Sequence, residues 1–143
     1  MKVRVLLAIL IVGLMSCATW LFSPPALALT DIKLFDIAYE DCPSELSDGM
    51  VASGSSMEAT CYMITGKAEN NSGNLVIDAD VFGRVYDANN NPVMQNRSRL
   101  GLIPEVPPGV SDFEIRISVP SNMPAPLKLE KFKSVGFTSK VRR

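Results

Sequence analysis

The chain has 143 residues, 20% of them charged, a formal net charge of −1 and no histidine. That balance gives no global attraction for nucleic acid, and the missing histidine removes the commonest general base and metal ligand. The length suits one domain behind an export leader and is short of two substantial cores.

In chain order the leader comes first. Lys2 and Arg4 precede an uncharged apolar run of 18 residues, Val5 to Phe22, and small residues follow, ending Ala26-Leu27-Ala28. A charged start, an apolar middle and an A-x-A end predict a hydrophobic signal helix over residues 1–28, cleaved after Ala28. The remaining chain, 29–143, carries 12 bases against 15 acids, a net charge of −3, and is expected to form a single β-sandwich domain. Two alternatives stand beside cleavage. A run of this length is near the minimum for spanning a bilayer, so residues 5–22 would hold the chain to a membrane if uncleaved. Leu14-Met15-Ser16-Cys17 also resembles a lipobox, with Cys17 as the acceptor.

The first strand is predicted over Ile32 to Tyr39. The segment from Asp41 to Met57, DCPSELSDGMVASGSSM, is rich in Ser, Gly and Asp and reads as a long loop or a helical turn at Ser44 to Leu46. Once the leader is gone, Cys42 and Cys61 are the two cysteines left, and an exported chain is expected to pair them. Closing that loop contributes roughly 3 kcal/mol by restricting the unfolded chain; the alternative is two buried thiols. The spacing is not C-x-x-C and no histidine accompanies it, which disfavours redox and zinc chemistry. Leu29 to Glu58 holds seven acids and one base, Lys33. Within it Glu40, Asp41, Glu45 and Asp48 form the candidate partner surface, since excursions of this kind carry binding functions; the alternative is a spacer.

Further strands are predicted over Cys61 to Ala68, Leu75 to Val85, Val93 to Leu102, Asp112 to Val119 and Leu127 to Phe137. Turn residues separate them at 69–74, 88–92, 104–109 and 120–126. Alternation is strict in Asp112-Phe113-Glu114-Ile115-Arg116-Ile117-Ser118-Val119, the pattern of a strand with one wet face. In the third strand Leu75, Ile77, Ala79, Val81 and Val85 are expected inside and Asp78 and Asp80 outside, with Gly83 marking a bulge or a close backbone approach. Six or seven such strands predict an all-β, antiparallel, immunoglobulin-like sandwich.

Asp87-Ala88-Asn89-Asn90-Asn91-Pro92 has the spacing of a calcium loop. Such a loop needs glycine sixth and a bidentate glutamate twelfth, where this chain has Pro92 and Ser98. The stretch is therefore predicted to be a hairpin turn. A weak surface cation site at Asp78, Asp80 and Asp87 is the alternative. Arg84, Arg97 and Arg99 are expected on one solvated sheet face, pairing with Asp78, Asp80 or Glu114. The sequons at Asn70 and Asn96 are read as polar turn and strand residues. Lys128 to Arg143 holds six bases and one acid; it is read as a solvated end, with anionic lipid or an acidic partner surface as the alternative.

Gly66-Lys67-Ala68-Glu69-Asn70, Gly83-Arg84-Val85-Tyr86-Asp87 and Pro107-Pro108-Gly109 to Phe113 together resemble the FxLYD type of exported domain, with Gly83 and Val85 standing where that pattern has Phe and Leu. The resemblance implies an immunoglobulin-like sandwich without catalytic residues, attached to envelope proteins of many functions. The leader is similar to those of cyanobacterial exported proteins. The resulting expectation is a non-enzymatic interaction or assembly module without cofactor. It would act on a protein partner, and not on nucleic acid, in the periplasm or thylakoid lumen, assisting a membrane complex. The alternative is a carrier that holds a small ligand or ion between its sheets or on its acidic strand face.

Overall fold

The computed structural model describes Val3, Arg4, Ile9 and residues 29–52, 55–94 and 98–138. The leader, apart from those three residues, therefore lies outside the described residues, as do Asn96, Arg97 and the basic residues Lys140, Arg142 and Arg143. From Leu29 onward the described residues are all-β apart from one helical turn. Its strands are β1 (Leu29–Asp41), β2 (Ala59–Asn70), β3 (Val76–Tyr86), β4 (Arg99–Val106), β5 (Gly109–Pro120) and β6 (Lys128–Phe137), with α1 (Ser44–Ser47) between β1 and β2.

All pairings are antiparallel and the hydrogen-bonded order is β4-β3-β6-β1-β2-β5. β1 serves both halves of the sheet. Leu29 to Ile32 pair with β6, and Lys33 to Asp41 pair with β2. The sheet curls until its edge strands β4 and β5, joined through Pro107-Pro108, pack together, so the fold is nearly a barrel. Inside lie Ile32, Ile64, Ala68, Val81, Val85, Ile103, Phe113, Ile115, Ile117 and Val119, all buried. Each large aliphatic there contributes about 2 kcal/mol by leaving water.

The strand pairing shifts register at four places, and three of these bulges share one construction. At each, one strand inserts a residue with left-handed backbone: Asp36 in β1 (φ 51°), Asp78 in β3 (φ 49°) and Lys131 in β6 (φ 54°). The register shows what lies opposite. Phe35 pairs with Lys67 and Ala38 with Thr65, so Asp36 faces Gly66. Ile77 pairs with Phe137 and Asp80 with Val135, so Asp78 faces Gly136; Phe82 pairs with Lys133 and Arg84 with Glu130, so Lys131 faces Gly83. Each of these three bulges is thus met by a glycine, whereas the fourth shift, at Leu100 of β4 opposite Val81 and Phe82, is not. A bulge crowds two side chains where one is usual and increases local twist, and a residue without Cβ makes room for them. At Gly83 a Cβ would lie 2.9 Å from the Phe132 ring. Gly83 does mark a bulge, but the inserted residue is on β6 opposite it, and the close approach is made by the Phe132 and Leu100 side chains rather than by backbone.

The bulges also account for two departures from the expected pattern. Val76, not Leu75 or Ile77, is fully buried at the start of β3, while Ala79, Val81 and Val85 are buried as expected. The extra residue at Asp78 shifts the phase between Val76 and Ala79, which simple alternation cannot register. The fourth strand is Arg99–Val106 rather than Val93 to Leu102. Pro104 lies within it instead of ending it. β4 is an edge strand, where a residue without N–H is tolerated, and no ladder pair forms between Pro104 and Asp78.

Candidate functional site

At the end of the sheet where β1 finishes, the chain makes its long excursion. Cys42 and Cys61 form a disulfide with Cα atoms 5.4 Å apart, and the Cys42 N–H donates to the Cys61 carbonyl at 3.2 Å. The excursion is built rather than slack. α1 occupies Ser44–Ser47, one residue longer than the expected turn. Beyond it Val51 bridges Glu58, the Ala52 N–H donates to the Met57 carbonyl (2.9 Å), and the Ala59 N–H donates to the Met50 carbonyl (3.1 Å). Ala52 is buried. Beneath the loop Tyr39 and Tyr62 meet edge to face at 5.5 Å, and the Leu127 N–H donates to the Tyr39 hydroxyl at 2.9 Å. Burial, with the Asp41 charge and Tyr39 adding to it, pushes the Tyr62 phenol above its ordinary range.

The four acids singled out from sequence are carried on this end of the fold. Glu40 and Asp41 are exposed at the end of β1, and Glu45 and Asp48 are exposed on and beside α1. None of them belongs to an ion pair among the described residues. Sequence reasoning missed what accompanies them: Leu46, Val51 and Met57 are large, apolar and 41%, 53% and 47% exposed. The signal was available, since apolar residues inside a Ser-, Gly- and Asp-rich loop have no strand face to bury them. Apolar side chains rimmed by unpaired charge mark surfaces that bind other proteins.

Reduction of the disulfide tests how much this excursion owes to its tie. With the cysteines 19 positions apart in sequence, the reduced chain is expected to lose about 3 kcal/mol of stability, measured by urea unfolding with and without reductant.

The Asp87 stretch is a turn. The Asp87 side chain is buried. Its Oδ1 accepts from the Asn89 and Asn91 N–H groups (2.9 and 2.8 Å), and its Oδ2 from the Asn91 side-chain amide (3.0 Å). Burial pushes this carboxyl up, but the hydrogen bonds from Asn91 and Asn89 and the Lys128 charge outweigh it and hold the carboxyl below its ordinary value. A carboxyl whose folded value is depressed adds stability above its unfolded value, and that stability is lost as pH falls toward the folded value. Below about pH 4, wild type is therefore expected to lose urea resistance faster than Asp87→Asn; equal slopes would contradict it.

The cation site considered at Asp78, Asp80 and Asp87 does not assemble as three free carboxylates. Asp80 is held by Arg99, 2.6 Å from its Nη2, and both Asp87 oxygens are occupied. Among the described residues no group of three His, Cys, Asp or Glu side chains is arranged to hold a metal. Of the arginine pairings expected on the sheet face, Arg99 with Asp80 forms. Asn70, the first sequon residue, is buried at the end of β2 with its amide donating to the Asn74 and Val106 carbonyls at 2.7 and 2.8 Å.

Comparison with known proteins returns no match: no protein-family model, no curated protein and no solved structure matches this chain. Asn70 and Asp87 pin turns, and Phe113 packs on Gly66.

Proposed function

We propose that the chain is a non-enzymatic, exported interaction or assembly module, an immunoglobulin-like sandwich of the FxLYD type. Its disulfide-tied loop, 41–57, docks a protein partner in the periplasm or thylakoid lumen. The exposure of Leu46, Val51 and Met57 on one loop with unpaired acids carries this reading, because exposed apolar side chains rimmed by polar residues mark interaction sites. Orientation supports it too. β1 starts at Leu29, where the leader joins, and is 13 residues long, ending at Asp41, a path of about 40 Å. A leader held in or near a membrane would leave the loop pointing away from the bilayer, toward a partner. The partner's matching surface would be apolar at its centre and basic at its rim.

The experiment is a comparison of wild type with Leu46→Asp and Val51→Asp, isolated from the membranes of the exporting host. Both positions are exposed, so folding measured by circular dichroism is expected to be unchanged while a stoichiometric partner is lost. Retention of that partner by both variants would overturn the reading.

A further inference from the structure

The Lys131 bulge does more than coil the sheet. Leu129 points inward, and regular alternation would send Lys131 and Lys133 the same way. The extra residue reverses the phase, so that Phe132, Ser134 and Gly136 turn in and both lysines are exposed. They meet Arg84 of β3 at a cleft of about 340 Å³, lined by Phe82, Gly83, Arg84, Ser98, Lys131 and Lys133. A neighbouring cleft of about 460 Å³ shares Gly83, Arg84 and Ser98 with it.

None of these three cations belongs to an ion pair among the described residues. The ion pairs there are Lys33 with Glu69, Lys67 with Asp112 and Arg99 with Asp80. Glu130, opposite Arg84 in the register, forms no ion pair and does not line the cleft. Lys133 lies 5.9 Å over the Phe82 ring, which favours an ammonium kept at the cleft over one extended into solvent. Lys131 sits in a left-handed conformation that costs a side-chain-bearing residue about 1 kcal/mol. A glycine would fit that backbone without strain; the chain has a cation there instead.

We propose that this cleft binds a multiply charged phosphate-type anion. Arg84 would grip two oxygens through its planar guanidinium, while Lys131 and Lys133 act as point charges. Three positive charges lining one cleft suit a dianion or trianion, whereas a single carboxylate would leave two of them uncompensated. A few hundred cubic ångströms admit a phosphate or pyrophosphate group, as free anion or as lipid headgroup. The residues differ from those of the partner loop, so this inference and the proposed function stand or fall separately.

The test titrates the full chain with inorganic pyrophosphate, phosphate and acetate while following backbone amide shifts. Saturable shifts at residues 82–84 and 131–133 are expected, at least fivefold tighter for pyrophosphate than for phosphate, with no saturation by acetate. Arg84→Gln and Lys131→Gly are each expected to weaken pyrophosphate about tenfold. Lys131→Gly also relieves the left-handed strain, so its melting temperature stays level or rises, and its lost affinity cannot be ascribed to unfolding. Vesicles containing phosphatidic acid, against phosphatidylcholine alone, form the second arm. Vesicle binding lost in both variants assigns the site to a headgroup, and a pyrophosphate response without vesicle binding assigns it to a soluble anion. No saturable shift in either arm, or affinity unchanged in both variants, would overturn the proposal.

Discussion

Gly136→Val is expected to abolish cooperative unfolding, and Gly136→Ala to cost about 3 kcal/mol, read by chemical denaturation. Gly136 pairs with Thr30 of β1 and stands opposite the Asp78 bulge. That bulge turns both Val76 and Ala79 inward, and the two cover the glycine. A Cβ at this position would collide with Val76 Cγ1 and come within 3.0 Å of the Ala79 Cα. Val76 is fully buried and Ala79 contacts through its backbone, so neither can move aside without parting β3 from β6. Overpacking of a core costs 1–3 kcal/mol when side chains can yield; here the obstacle includes main chain, which puts alanine at the upper end and valine beyond it. Asp78→Gly, on the other side of the same bulge, is expected to be neutral or mildly stabilising, because its φ of 49° suits glycine.

Asn70→Ala is the second large effect, at about 3 kcal/mol by the same measurement. The Asn70 amide donates to Asn74 and Val106, while its carbonyl accepts from the Ser72 N–H (3.0 Å) and hydroxyl (2.7 Å). The bond to Val106 joins the end of β2 to the end of β4, two strands that are not neighbours in the ladder, and so helps close the barrel. Alanine would orphan the buried Val106 carbonyl as well as unpin the turn, and each unsatisfied buried group costs about 1–3 kcal/mol. Asn70→Asp keeps an acceptor for Ser72 but turns a buried carboxylate oxygen toward the Asn74 and Val106 carbonyls, so at neutral pH it is expected to cost at least as much as alanine.

These two positions show where the sequence was legible and where it was not. Period-two alternation located five of the six strands closely, because a half-buried pleat writes its face into every second residue, as Phe113 to Val119 do. It failed at β4, where Pro104 and the glycines around it interrupt the pattern, and at Val76, where the Asp78 bulge shifts the phase. Bulges leave no apolar signature on the strand that carries them, since Asp36, Asp78 and Lys131 are ordinary polar residues. Their signal lies in the partner strand, as Gly66, Gly83 and Gly136. Reading one such glycine without knowing the pairing gives a bulge but not its location. The curling of the sheet into a near-barrel was hidden for the same reason, because it follows from three local insertions and the Asn70 bond rather than from composition.

The acidic loop was legible as a surface because its charges are written in order along the chain. The basic cleft was not. Arg84 and the lysines of β6 are more than 40 residues apart in sequence, and the bulge that brings both lysines outward is invisible without the register. The turn at Asp87 was read correctly from its neighbours, since Pro92 and Ser98 stand where a calcium loop needs other residues.

Site-specific photocrosslinking in the exporting host tests the docking claim most directly. A photoreactive residue placed at Leu46, Val51 or Met57 is predicted to give one shared protein adduct, while the same residue at exposed Val110, on a different part of the fold, gives none. An adduct at Val110 with none at the three loop positions would contradict the account.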